Sequence, residues 1–532
     1  MKLALYFSLL LLPCSLLSQP EFNYTISLEE INLEGFPGIH SYAYGTNDNK
    51  WLIVGGRLDG LHARQPFNAF PENQNNDQLL VIDSETWQWW ARDMSDLPTA
   101  LKEQLQSTNM NFAQRADTLY IAGGYAFSPT ANDHITFPHL SSIIISEVID
   151  AIINDEPNIY QYFQQITADE FAVTGGQMRF FNGKLYLVGG HRFDGRYNPM
   201  GNPTYTQTYT NGIRMFQPIN EAENLHFTDY SEWIDEVNLH RRDYNLLPDL
   251  TAENSERLIV SSGVFQVGIN SPFLYPVIID ENGVTAETAF NQYLSNYHSA
   301  HATFKNTSNQ EMHTLFFGGI SNYYYSNGVL IQDDLVPFVK TISRLSRDAS
   351  NAHYEFLEST EMPGFFGSSA EFIVNPNLSL SNNEIIMLTG EESAPIVAGY
   401  VLGGIGSNSL NPFSVNQTSQ TWASSAIYRI VLTPNKISST QQIAQPNTFA
   451  LTIAPNPVYS SIQMQFAEEL SGELMIYLMD MTGRLVFRQN AQVQSSITLN
   501  IDLPQEIRNG QYILHVVKNK IDHKEIKLSV QR

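Results

Sequence analysis

One short pattern recurs along the chain: a hydrophobic run followed directly by two glycines. The stretches KWLIVGGRLDG (50–60) and KLYLVGGHRFDG (184–195) are its two most similar copies, and LIVSSG (258–263) is a degenerate one. Copies return about every 70 residues, and repetition on this scale predicts a solenoid or a propeller. The glycine pairs, which we interpret as structural, are Gly55 and Gly56, Gly123 and Gly124, Gly189 and Gly190, Gly318 and Gly319, and Gly403 and Gly404.

Each repeat reads as four short strands separated by turn residues. In the first repeat these are HSYAYG, KWLIVGG, QLLVIDSETW and QWWARDMSDLP. No long amphipathic helix interrupts them, so each repeat predicts one blade of a β-propeller. A strand that leaves the crowded centre of such a ring must turn sharply next to another backbone, and glycine accepts that conformation at low cost.

The glycine pair, the spaced aromatic residues and the ending Asp83-Ser-Glu-Thr-Trp87 resemble the kelch family. The resemblance implies an all-β fold, a six-bladed kelch-type β-propeller over residues 19–434, with five and seven blades as alternatives. Since a kelch unit has about 50 residues, the loops are long. The sixth repeat offers AEFIV, EIIML, YVLGG and AIYRIVL without an obvious fourth outer strand. We therefore expect the N-terminal strand, from Tyr24, to close that blade.

The first eighteen residues predict a secretory signal peptide. Lys2 precedes an apolar run from Leu3 to Leu17, which is too short to span a membrane, and cleavage is expected near Ser18. The only cysteine, Cys14, lies inside this segment, and Pro13 argues against a lipoprotein box. The mature chain would have no thiol, which excludes disulfides and thiolate metal sites. It also excludes the galactose-oxidase-like radical copper enzymes, which use kelch blades but need a tyrosine crosslinked to cysteine.

The net charge of the chain limits the classes of partner that it can bind. The chain has 29 Lys and Arg against 54 Asp and Glu, a net charge of −25. Such a field repels phosphate backbones, so no nucleic acid partner is expected. No second apolar window predicts a transmembrane segment.

The C-terminal region does not continue the repeats. Residues 435–447 read as a polar linker, and the alternating strands of residues 448–532 predict a small immunoglobulin-like β-sandwich. Pro455-Asn456-Pro457, the turn from Asp480 to Arg484, Asn509-Gly-Gln-Tyr512 and the Lys-rich last strand resemble the C-terminal sorting domain of the type IX (Por) secretion system of Bacteroidetes. The resemblance implies a secreted or outer-surface protein whose partner is that export machinery.

Propellers bind ligands where loops converge at a mouth of the central channel. Arginine guanidinium groups bind carboxylates through two hydrogen bonds, and aromatic rings cover the C–H surfaces of sugars. Both residue types therefore suit hydroxyl-rich or carboxylated sugars. The alternative is structural, because Arg-x-Asp-Gly also forms a self-satisfied turn. The candidate ligand-binding residues are Arg57, Asp59, Tyr125, His191, Arg192, Asp194, Arg242 and Glu371.

Other polar residues are weaker candidates. His40 and His298 stand at equivalent repeat positions and are interpreted as architectural rather than as an acid/base pair. The cluster from His240 to Asp243 either binds an anion or pairs with neighbouring blades. No local motif of a zinc peptidase, serine hydrolase, phosphate loop or calcium loop is present, so no metal and no cofactor is predicted.

Two hypotheses on function follow. The preferred one is a surface or released protein that binds a glycan or protein ligand at the funnel mouth, without catalysis. The alternative is a sugar mutarotase resembling the kelch-type sialic-acid epimerases, in which Glu371 and His191 form an acid/base pair and Arg192 or Arg242 clamps the substrate.

Overall fold

A computed structural model describes residues 19–199, 204–221, 224–326, 328–435, 441–442, 451–480, 485–518 and 522–532. The expected signal peptide and most of the expected linker lie outside these residues.

Six sheets, each built on four antiparallel strands, make up most of the described chain before residue 435. They are named here sheets 1 to 6, and their strands run from the innermost to the outermost. Sheet 1 contains Ala43–Asn47, Lys50–Val54, Gln78–Asp83 and Gln88–Asp93. Sheet 2 contains Asn111–Arg115, Thr118–Ala122, His139–Ile144 and Phe163–Thr167. Sheet 3 contains Gln177–Phe181, Lys184–Val188, Gly212–Glu221 and Asn224–Ile234.

The second half of the set follows the same plan. Sheet 4 contains Asn245–Leu250, Glu256–Ser261, Val277–Asp280 and Gly283–Ala286. Sheet 5 contains His301–Asn306, Met312–Ile320, Phe338–Arg347 and His353–Glu361, extended by Ile386–Leu388 and Gln441–Gln442. Sheet 6 contains Glu371–Val374, Ile396–Leu402, Ile427–Pro434 and Tyr24–Ile31.

The N-terminal strand is the outermost strand of sheet 6. Tyr24–Ile31 pairs antiparallel with Ile427–Pro434 along its whole length. The strand expected at EIIML does not join sheet 6, because Ile386–Leu388 pairs in parallel with the first strand of sheet 5. That part of the sequence prediction is wrong: periodicity identifies a strand but not the sheet edge on which it lies.

The innermost strands follow one another around a common axis. Each lies against the innermost strand of the next sheet from sheet 1 to sheet 6, and the Tyr44 hydroxyl of sheet 1 donates to the Phe372 carbonyl of sheet 6 at 3.0 Å. The second strands are almost wholly buried, since residues such as Leu52, Val54 and Ile121 pack between neighbouring sheets. The protein is therefore mostly β, with four-stranded sheets consistent with a propeller.

A closed circle of backbone hydrogen bonds surrounds the axis just before the innermost strands. Each member donates its N–H to the carbonyl of the preceding member, at 2.8 to 3.3 Å, and the first donates to the last. We call these residues the axial ring. Its members, one per sheet, are Ser41, Asn109, Gly175, Asp243, His298 and Ser369.

The glycine pairs connect each sheet to the next. The second glycine donates its N–H to the loop of the following sheet, as Gly56 does to Ser107 at 2.9 Å and Gly124 to Val173 at 3.1 Å. The first glycine has no room for a side chain: Gly123 has φ +69°, and a Cβ there would lie 1.8 Å from the Val173 carbonyl oxygen. The glycines thus permit a close backbone approach between sheets.

The segments after the glycine pairs, joined by one strand that precedes sheet 6, form additional small sheets on one end of the molecule, named here the loop face. They are the hairpins Tyr125–Ser128 with Asp133–Thr136, His191–Gly195 with Tyr205–Tyr209 and Tyr323–Ser326 with Val329–Gln332, and the three strands Phe365–Ser368, Ile405–Ser407 and Thr421–Ala423. Two short α-helices, Thr99–Leu105 and Ile145–Ile153, lie between strands. Short 3-10 turns span Pro66–Asn68, Glu72–Gln74, Met94–Asp96, Ile159–Tyr162, Asp169–Phe171 and Thr418–Gln420.

The C-terminal domain is a separate curled sheet with its own hydrophobic core. Residues such as Ile476, Leu514 and Leu528 fill that core. The two longest strands bend along their length through register shifts at their pairing. The strands are Leu451–Ala454, Ser461–Asp480, Leu485–Asp502, Gly510–Lys518 and Asp522–Val530. A more specific immunoglobulin-like assignment stays a prediction.

Candidate functional site

A cavity of about 620 Å³ extends along the axis from the axial ring to the turns between the first and second strands. We call it the channel. At one end it is lined by ring residues, including Asp243 and His298, and at the other by Arg115 and by residues 382–384. The channel therefore opens on the end of the molecule opposite to the loop face.

The channel walls are the free edges of the innermost strands, whose backbone groups need hydrogen-bond partners. Side-chain amides of neighbouring sheets supply them. Gln114 accepts from the Thr46 N–H at 2.8 Å and donates to its carbonyl at 2.7 Å. Gln177 accepts from the Leu246 N–H at 2.9 Å and donates to the Tyr244 carbonyl at 2.9 Å. These amides are hydrogen-bonded to the neighbouring sheets and hold them together. Other side chains must therefore account for recognition of a ligand.

His298 and Glu371 form an ion pair in the channel wall. His298 Nε2 lies 3.3 Å from Glu371 Oε1, and both side chains are less than one-fifth exposed. Burial by itself lowers the pKa of His298, but the Glu371 carboxylate, with a contribution from Asp243, outweighs it and raises the pKa above its usual value. The Glu371 carboxylate thus favours the protonated form of His298, and the pair could donate and accept a proton.

Two more basic side chains line the same channel. His301 bonds the Ser299 carbonyl through Nδ1 at 3.1 Å, and burial together with the charge of Arg179 lowers its pKa to about 3. The Arg179 Nε donates to the Leu246 carbonyl at 2.9 Å. His301 is therefore neutral at physiological pH.

The structure separates Glu371 from the other sequence-predicted site residues. Of that set, only Glu371 lines the channel. Four others lie in one layer just beyond the axial ring: Arg57, Tyr125, His191 and Arg242. In this layer the residue before a ring member forms a β-bridge with the residue after a glycine pair or its degenerate copy. The bridges join Arg57 with His40, Tyr125 with Thr108, His191 with Thr174, and Arg242 with Val264.

Arg57 and Asp59 bind each other. The Arg57 guanidinium is 2% exposed and donates to Asp59 through Nε at 2.8 Å and Nη2 at 2.6 Å, and to Asn75 at 2.8 Å. Arg192 repeats the pairing with Asp194 at 2.6 Å but is half exposed. This geometry matches the structural interpretation of the Arg-x-Asp-Gly motif, since its charges are satisfied within the motif.

The remaining predicted residues are also engaged in local contacts. The Tyr125 hydroxyl donates to the Gly195 carbonyl at 2.9 Å, and His191 Nδ1 lies 2.6 Å from the Gln207 amide. Burial, with the charge of Arg242 as a second cause, lowers the pKa of His191 far below its usual value. His191 is therefore a neutral, buried ring rather than the partner of Glu371.

The cluster from His240 to Asp243 is divided among different environments. His240 stacks on Tyr209 with ring centroids 3.8 Å apart. The Arg241 guanidinium is buried and donates to the Ser262 carbonyl at 2.7 Å. Arg242 pairs with Asp243 and donates to the Tyr209 hydroxyl at 3.2 Å.

An aromatic cap covers this layer on the loop face. The His62 ring contacts Phe70, Tyr197 and Phe413 at centroid distances of 4.8, 4.6 and 5.3 Å. These rings come from the loops of sheets 1, 3 and 6, so the loops meet over the axis.

Sequence reasoning interpreted His298 as architectural and did not anticipate its ion pair with Glu371. The available signal was its place before an innermost strand, at the same step of the repeat as Ser41 and Ser369. His40 stands one residue earlier in its repeat, so the expected equivalence of His40 and His298 is wrong. Its partner Glu371 is identified only when sheet 6 packs against sheet 5 in the folded chain.

Within the described ranges, no cluster of three or more His, Cys, Asp or Glu side chains is arranged to hold a metal ion. In the same residues, no helix is both long and apolar enough to cross a membrane.

A fungal alcohol oxidase of the AA5 family, in complex with copper, aligns with 95% of this chain and 100% of its own at 9% identity and a TM-score of 0.36. A likeness at that score carries no information on the reaction or metal content of this chain. Curated proteins give no match.

The C-terminal region matches a known domain family. Residues 452–531 match the secretion system C-terminal sorting domain, and they contain nearly all of the curled C-terminal sheet. These residues are the type IX sorting domain of an exported protein, which is secreted or held at the cell surface.

Proposed function

We propose that this protein is a six-bladed kelch-type propeller that binds a hydroxyl-rich sugar in its axial channel after export by the type IX system. The observation that carries the proposal is the channel itself, a cavity of about 620 Å³ with the His298–Glu371 pair in its wall. This volume is in the range of small-molecule sites. The axial ring supports the six blades, because each sheet contributes one member.

The charges of the channel favour a neutral sugar over a sugar acid. Its lining contains Arg115 and Arg179 against four carboxylates, those of Asp243, Glu256, Glu371 and Glu384. Asp243 and Glu371 have cationic partners in Arg242 and His298. No excess of cations is left to balance a ligand carboxylate, whereas a neutral hydroxyl can both donate to Glu371 and accept from His298.

A thermal-shift and calorimetric screen of neutral sugars and sugar acids tests the proposal. A ligand at a hundred times its dissociation constant stabilises the fold by about 2.7 kcal/mol. We expect a neutral sugar to bind, and Glu371→Gln and His298→Gln each to weaken it at least tenfold. Arg192→Gln, on the loop face, is the matched control and should leave the affinity unchanged. Equal affinity in the wild type and both channel variants would contradict the proposal.

A second candidate function, sugar mutarotation, rests on the same ion pair. Glu371 would take the proton of the anomeric hydroxyl while the His298 imidazolium gives its proton to the ring oxygen; the C1–O5 bond then breaks, and reclosure on either face yields both anomers. Here His298 replaces His191 as the partner of Glu371, because His191 lies outside the channel. Exchange between anomers, followed by NMR saturation transfer, distinguishes the two functions: acceleration lost in Glu371→Gln supports catalysis, and binding without acceleration leaves a binding protein.

A further inference from the structure

Exposed apolar side chains gather on the loop face, at the opposite end from the channel mouth. Six of the exposed large hydrophobic residues belong to the loops after the glycine pairs of sheets 5, 6 and 1, three sheets that are consecutive around the axis. Phe67 is 73% exposed and Trp422 37%. The others are Leu58, Val329, Leu335 and Val415. We call this surface the apolar platform.

The three loops form one continuous surface, because hydrogen bonds tie each to the next. The Leu61 N–H of sheet 1 donates to Thr421 Oγ1 of sheet 6 at 2.8 Å, and Arg64 donates to the Ser414 carbonyl at 3.1 Å. The Ser414 hydroxyl in turn donates to the Leu335 carbonyl of sheet 5 at 2.9 Å. Such a surface is pre-organised, so binding to it costs little ordering of the loops.

Trp422 presents a flat aromatic face on this surface. It is the direct cross-strand partner of Gly406, and a Cβ on Gly406 would lie 2.6 Å from the indole Cε2. The indole therefore lies against the Gly406 backbone and meets the Phe366 ring edge to face at a centroid distance of 6.1 Å, while the side chain stays 37% exposed. Among the described residues, its Nε1–H has no hydrogen-bond acceptor. A flat ring with a free donor at its edge suits a sugar, whose C–H surface stacks and whose hydroxyls accept.

The chain segment that carries Trp422 is itself uncharged. The segment 403–426 contains no Asp, Glu, Lys, Arg or His, although the whole chain has 54 acidic residues. Its exposed polar side chains include the amides of Asn408, Asn416 and Gln417. Amides, hydroxyls and an indole without charge are complementary to a neutral hydroxyl-rich polymer. A charged polymer would find no counter-ion in this segment.

We propose that the apolar platform, with Trp422 at its centre, is a docking site for an uncharged polysaccharide, distinct from the channel. The axial ring and the aromatic cap lie between the two sites, so binding at one does not require the other. The platform extends over loops of three sheets, which suits a chain of several sugar units rather than a single sugar.

The test is a binding assay of the full-length exported protein on cellulose, chitin, starch and a soluble β-glucan, with alginate as an anionic comparison. We expect retention on at least one neutral polysaccharide and at least a tenfold loss in Trp422→Ala and in Phe67→Ala. Tyr160→Ala, which removes an exposed aromatic ring outside the platform, is the control and should bind normally. Trp422→Phe keeps a stacking face without the donor and should retain part of the affinity, which guards against misfolding of the alanine variant.

The outcomes separate this proposal from the channel. Glu371→Gln should leave retention on the polysaccharide unchanged even where it abolishes binding of a small sugar. No retention on any neutral polysaccharide, retention on alginate alone, capture of cell-surface proteins instead, or equal retention by Trp422→Ala in its folded state would each overturn the platform proposal.

Discussion

His298 Nε2 and Glu371 Oε1 lie 3.3 Å apart across the boundary between sheets 5 and 6. The raised pKa of His298 makes this contact pH-dependent. A raised folded-state pKa means that the pair stabilises the fold fully below the unfolded value, about 6.5. The stabilisation is lost as the pH rises through the folded value.

The first prediction is that His298→Gln destabilises the fold more at pH 5.5 than at pH 8.5. The measurement is the wild-type minus variant difference in unfolding free energy across this range. The difference removes the contribution of His301, whose lowered pKa acts in the opposite direction. A difference that grows with pH would contradict the pairing.

The second prediction concerns the close backbone approach at the glycine pairs. Gly183→Ala forces an alanine to φ +79° but meets nothing within 4 Å, and should cost about 1 to 2 kcal/mol. Gly123→Ala adds a clash with the Val173 carbonyl at 1.8 Å and should cost about 1 to 3 kcal/mol more. Denaturant unfolding of both variants checks this, and equal costs would show that the sheets can separate freely.

The third prediction distinguishes structural from ligand-binding arginines. Arg57→Met removes a buried guanidinium from Asp59 and should destabilise the fold by about 3 kcal/mol. Arg192→Met breaks a half-exposed pair and should cost at most about 1 kcal/mol. Neither change should alter sugar affinity in the channel, as measured by calorimetry. A specific loss of affinity in Arg57→Met at unchanged stability would return this residue to the ligand site.

The fourth prediction concerns the N-terminal strand. Ile26 is 3% exposed in the outermost strand of sheet 6, so Ile26→Ala should cost about 2 to 5 kcal/mol. The neighbouring Ser27 is exposed, and Ser27→Ala should change the stability by less than about 0.5 kcal/mol. Thermal unfolding of the two variants compares a buried and an exposed position of one strand.

The fifth prediction concerns export. Deletion of residues 452–531 should leave the protein inside the cell without changing the unfolding temperature of the purified remainder, because the C-terminal domain has its own core. Cell fractionation and a thermal melt give the two readouts. A large drop in unfolding temperature would show that the domain also supports the sheets.

Much of the architecture was accessible from the sequence because the strand periodicity and the glycine pairs are local signals. The glycine positions follow from backbone crowding that is the same in each repeat, as Gly55 and Gly123 show. The positions of the axial ring are also regular in the sequence, since Ser41, Asn109 and Gly175 precede the first glycine of their pairs by one constant spacing.

The site was much less accessible. Which end of the axis is open depends on how far the loops fold over, and the contacts of His62 with Tyr197 and Phe413 join three distant segments. Likewise, Glu371 contacts His298 only because sheet 6 packs against sheet 5 in the folded chain. The repeat places His191 and His298 at different distances from their glycine pairs, which gave no reason to prefer His298.

The axial ring also bears on how this chain opens and folds. Every member gives one hydrogen bond to one neighbour and receives one from the other, so no sheet can unfold locally without breaking bonds on both of its sides. The circle closes where Ser41 donates to Ser369 at 3.0 Å, and sheet 6, next to Ser369, is complete only when residues 24–31 have paired with residues 427–434. Unfolding of the ring should therefore be a single cooperative event, and completion of sheet 6 beside it must wait until the chain has been synthesised to residue 434.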